Sequence, residues 1–77
     1  MQLTNEVVYE AIDKLNHKQA IVCFQDIVKE LGIELNYQTV KKLTRIINHL
    51  ATIEVVVWDI SDEGYLTYTT DNYLMTH

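Results

Sequence analysis

Gln38, Lys41, Lys42, Arg45 and Asn48 are the side chains of this sequence best suited to recognition chemistry. Lys and Arg form charge-assisted hydrogen bonds with phosphate oxygens. The forked donors and acceptors of Arg, Gln and Asn match base edges in a major groove. No acidic residue lies between Glu34 and Glu54, so half of the 6 basic side chains fall in an acid-free stretch. The other 58 residues hold 3 basic and 11 acidic groups. A helix face that is only solvated mixes the two signs. This segregation points to a surface that meets something negative, and a wet, idle face is the plainer alternative.

Covalent and metal chemistry find less to work with. His17, Cys23, His49 and His77 are scattered, without the close pairing of zinc ligands. There is no glycine-rich phosphate loop and no nucleophile motif. Glu10 with Asp13, and Asp62 with Glu63, read as solvated pairs on a helix face and a turn. The expectation is therefore no enzyme, no cofactor and no metal. A lone Cys23 excludes an internal disulfide, and its apolar neighbours make it a small buried residue rather than a reactive thiol.

Size and composition bound the scaffold that must hold these groups. The chain has 77 residues and a mass of 9.0 kDa, 48% of it hydrophobic and 22% charged. That is the range of one small globular domain. The net charge of -5 opposes non-specific adhesion to nucleic acid or anionic lipid, although local charge differs from the sum. No apolar run approaches the ~18 residues of a membrane helix. Met1 to Glu6 lacks a basic region followed by an apolar one, so no signal peptide is expected and the cytoplasm is the expected compartment.

Thr4 can cap a first helix over about 4–16, with Val7, Val8, Ala11, Ile12 and Leu15 at helical spacing. Residues 20–23 are rich in apolar and β-branched types and too few for a helix, which predicts a short strand. A second helix is expected over about 25–31, ended by Gly32, and a third over about 37–51, capped by Asn36. From residue 53 the period becomes extended. Two strands about a Ser61–Gly64 turn give a hairpin over 53–70. Residues 71–77 read as a tail.

The order helix, short strand, helix, helix, hairpin resembles the winged variant of the helix-turn-helix, over nearly the whole chain. Ile27 to Ile33 resembles the first helix and turn of the motif, and Tyr37 to Leu50 its recognition helix. The resemblance implies an α+β winged-helix domain. On the third helix, stepping about 100° per residue places Val40, Leu43, Ile47, Leu50 and Ala51 on one arc and Gln38, Lys41, Lys42, Arg45, Asn48, His49 and Thr52 on the other. In such a motif the N-terminal part of the second helix reads the duplex. Gln38, Thr39, Lys41, Lys42, Arg45, Asn48 and His49 are thus the expected DNA-contacting residues, in a regulator of transcription.

The hairpin loop departs from the DNA-binding pattern. Where many winged helices place Arg or Lys, this chain has Ser61-Asp62-Glu63-Gly64, preceded by Asp59. Phosphate repels anions there; the bland reading is a soluble turn. The sharper one is an acidic module, an adaptor or inhibitor such as a phage or plasmid encodes, that binds a protein and not DNA. Strand alternation also places Val55, Val57 and Asp59 on one face and Val56, Trp58 and Ile60 on the other. Only one face can be core. Self-association into a homodimer, or a tail folded over the sheet, would cover the other. A dimer facing one duplex would bring six cations, with a logarithmic salt slope of about -5.

Overall fold

The computed structural model describes residues 2–76. Helix α1, Asn5–Lys18, opens where the Thr4 hydroxyl accepts the Val7 N–H at 3.2 Å. Helix α2, Phe24–Leu31, opens where the Asp26 carboxylate accepts the Cys23 N–H at 2.8 Å. It closes on Gly32 at φ 65°, a left-handed conformation that favours glycine. Helix α3, Tyr37–Thr52, opens on a reciprocal cap. The Asn36 side chain accepts the Thr39 N–H at 3.0 Å, and the Thr39 hydroxyl accepts the Asn36 N–H at 3.0 Å.

Strands β1, Val56–Ile60, and β2, Leu66–Thr70, pair antiparallel. The expected hairpin began at 53. Ile53 and Glu54 instead close α3, and pairing starts at Val56 opposite Thr70. The core joins Val8, Ile12 and Leu15 of α1, Ile27 and Leu31 of α2, and Leu43, Ile46, Ile47 and Leu50 of α3 to Val56 and Tyr68 of the hairpin. The architecture is a small α+β fold of helices and a two-stranded hairpin, and no helix among the described residues is long and apolar enough to cross a membrane.

Two expected elements differ. The segment 20–23 forms no strand, and its link to the sheet is one backbone hydrogen bond, from Tyr68 N–H to the Val22 carbonyl at 2.9 Å. The next positions on that edge of β2 are taken by a side chain. Asn16 of α1 donates to the Tyr68 carbonyl at 3.0 Å and accepts the Thr70 N–H at 3.0 Å. Strand pairing has nowhere to continue. The expected tail is a fourth helix, α4, Asp71–Thr76; His77 lies outside the described residues. It packs on α1 and against the end of β2, and leaves Trp58 and Ile60 exposed. The Tyr9 hydroxyl donates to Asp71, Asn72 donates to Asp13 at 3.2 Å, and the His17 and Tyr73 rings meet edge to face at 5.2 Å. Burial pushes the Tyr9 hydroxyl pKa up, and its hydrogen bond to Asp71 adds to the rise.

Directly opposed residues of the hairpin share a face. On the inner face Val56, Tyr68 and Thr70 are buried. Its outer half lies beyond the cover of the helices. Trp58 is 56% exposed and Ile60 59%.

Candidate nucleic-acid interface

Helix α3 is held from one side only. Leu43, Ile46, Ile47 and Leu50 are buried, while Val40 and Ala51 are half-buried at the edge of that stripe. The buried arc is centred nearer Ile46 than the sequence arcs suggested. The opposite arc is open. Gln38, Lys41, Lys42, Arg45, Asn48 and His49 are all exposed. Thr39 is half-buried and its hydroxyl is occupied in the cap with Asn36 and Glu34. It fixes where the helix starts, so the side chains that follow it are placed by the cap.

Among the described residues two of the cations are ion-paired with a carboxylate, and Lys29 of α2 is not. Lys14 and Lys18 of α1 share Glu30 of α2, at 3.2 and 3.9 Å. Among the described residues no carboxylate lies within 4 Å of Lys41, Lys42 or Arg45. Lys41 instead stands 5.8 Å from the centre of the Tyr37 ring, whose face attracts a cation without neutralising it. From Lys41 to Arg45 the helix advances about 6 Å, so the three charges form one compact patch.

The free end of the hairpin, from Asp59 of β1 through the loop, has its own sign. Asp59, Asp62 and Glu63 are exposed, and no described cation pairs with them. The Ser61–Gly64 turn closes as expected, with Gly64 at φ 91° and its N–H on the Ser61 carbonyl at 2.9 Å. Between α3 and β2 runs a groove of about 730 Å³ lined by Phe24, Val40, Thr44, Tyr65, Leu66 and Tyr68 with their neighbours. The sequence arcs missed it. Cys23 is half-buried at the head of this groove rather than sealed in the core. Among the described residues no three His, Cys, Asp or Glu side chains converge on one point.

Neither models of known families, nor curated proteins, nor solved structures give a match to this chain. The reading of the site therefore stands on its geometry and charge.

Proposed function

We propose that this chain is a winged-helix protein that binds duplex DNA through α3 and regulates transcription. The observation that carries the reading is the open arc of α3, whose three exposed cations stand together and have no carboxylate partner among the described residues. Support also comes from the element order, three helices and then a hairpin, with α3 preceded by a short turn from α2. Gln38, Arg45 and Asn48 supply the groups that distinguish bases, and Lys41 and Lys42 those that grip phosphate.

The test is a gel shift on random-sequence and selected duplexes at low salt, with the variant Lys41→Gln, Lys42→Gln, Arg45→Gln as control. The expected result is loss of the shifted band with unchanged circular dichroism. For the unsubstituted chain binding as a monomer, the salt slope is about -2.7 if three phosphates are neutralised at about 0.9 each. Duplex binding that survives the triple change removes α3 from the interface.

A second reading rests on the hairpin. Its unpaired Asp59, Asp62 and Glu63, beside exposed Trp58 and Ile60, suit an acidic module that binds a basic protein. Reversing the three acids to Lys separates the two. It tightens duplex binding under the first reading and breaks a protein complex under the second.

A further inference from the structure

Among the described residues the acids of the hairpin and the cations of α3 have no ionic partner, and their charges are equal and opposite. Asp59, Asp62 and Glu63 present three negative charges, and Lys41, Lys42 and Arg45 present three positive ones. All six side chains are exposed and none is ion-paired among the described residues. On the face of β1 that carries Asp59, Val57 is exposed, and on the other face Trp58 and Ile60 leave apolar surface in water that α4 does not cover.

Three kinds of occupant differ in what they satisfy. A duplex suits α3 and is repelled by the hairpin loop. A basic protein suits the loop and is repelled by α3. A second copy of this chain suits both, because two-fold symmetry sets the hairpin of each copy on the α3 of the other. We propose that the hairpin and α3 form one self-complementary docking surface, occupied by a second copy, with Asp59, Asp62 and Glu63 of each chain facing Lys41, Lys42 and Arg45 of the other. The charges set the orientation, and the hairpin side chains supply the apolar area. The groove beside α3, at about 730 Å³, is large enough to receive an indole from the opposite chain. This dimer covers the cations instead of presenting six of them to one duplex. Self-association and duplex binding then exclude each other; that consequence rests on the function proposed above, whereas the contact itself does not.

Sedimentation without DNA tests the contact. The dimer is expected at about 0.1 M salt and the monomer at about 1 M, as the screening length falls from ~10 to ~3 Å. Trp58 is the sole tryptophan, so its emission shifts to the blue on association and back as salt is added. The hairpin-reversed variant (Asp59→Lys, Asp62→Lys, Glu63→Lys) and the helix-reversed variant (Lys41→Glu, Lys42→Glu, Arg45→Glu) are each monomeric, with association weakened about a hundredfold or more by like charges brought together. Mixed one to one, they form a heterodimer. A chain monomeric at low salt overturns the proposal, as does a dimer that persists at high salt or a mixture that stays monomeric. If a reversed variant fails to fold, the salt series on the unsubstituted chain still decides. Duplex binding by a chain that never dimerises removes this inference and leaves the proposed function standing; a charge-swapped heterodimer from a chain that ignores DNA does the reverse.

Discussion

At the scale of single residues, the polar side chain that does most for this fold is Asn16, which carries no charge and belongs to no motif. It is 6% exposed, between Leu15 and His17. Its amide satisfies a carbonyl and an N–H of β2, so α1 serves as a partner for a sheet edge. Both backbone groups are buried with it, and an orphaned buried group costs about 1–3 kcal/mol. The Asn16→Ala variant is therefore expected to lose about 2–4 kcal/mol, read by urea unfolding. The Asn16→Asp variant is no rescue, since it sets a carboxylate against the Tyr68 carbonyl. A loss below about 1 kcal/mol in the alanine variant would show that water takes over both bonds.

At the scale of elements, the helices were legible and their last turns were less so. Thr4, Asn36 and Gly32 mark ends by chemistry that works locally, and α1, α2 and α3 start or stop within about two residues of where these place them. The open arc of α3 was legible for the same reason, since a period of 3.6 residues needs no knowledge of the neighbours. The strand at 20–23 was not. Whether an extended segment pairs depends on what else occupies the edge, and the β2 edge that Asn16 occupies lies 52 and 54 residues from it in sequence. Helix α4 was missed because it buries no residue of its own and is held by Tyr9, Asp13 and His17 of α1. The end of α3 was also hidden. Glu54 sits at φ 65°, its N–H on the Ala51 carbonyl at 3.1 Å, and Val55 N–H reaches the Leu50 carbonyl at 3.0 Å. This is the paired closure that usually carries glycine. Glu54 bears the strain of a left-handed conformation and puts an anion at the negative end of the helix. The Glu54→Gly variant is expected to gain about 0.5–1 kcal/mol, the relief being partly offset by the freer unfolded chain. A higher urea midpoint with unchanged slope is the check.

At the scale of the whole molecule, charge is sorted by place. Lys14 and Lys18 of α1 are paired with Glu30 of α2, while among the described residues the cations of α3 and the acids of the hairpin are in no ion pair. A surface with two poles responds to salt in two ways. Under the proposed function, duplex binding weakens as salt rises, with a slope of about -2.7 for three phosphate contacts. Self-association through the same cations also weakens, and this releases α3 to bind. The two trends oppose each other wherever dimers dominate. At protein concentrations well below the dimer dissociation constant, the full slope of about -2.7 is expected. Well above it, the apparent slope is shallower, because each increment of salt also supplies free helix. Reversing Asp59, Asp62 and Glu63 to Lys is expected to abolish the proposed dimer, so that variant no longer shows the flattening at high concentration. Fluorescence anisotropy of a labelled duplex, titrated at several salt concentrations and two ranges of protein, reads both slopes. Equal slopes in the two ranges would mean that the cationic face of α3 is never covered by a second chain.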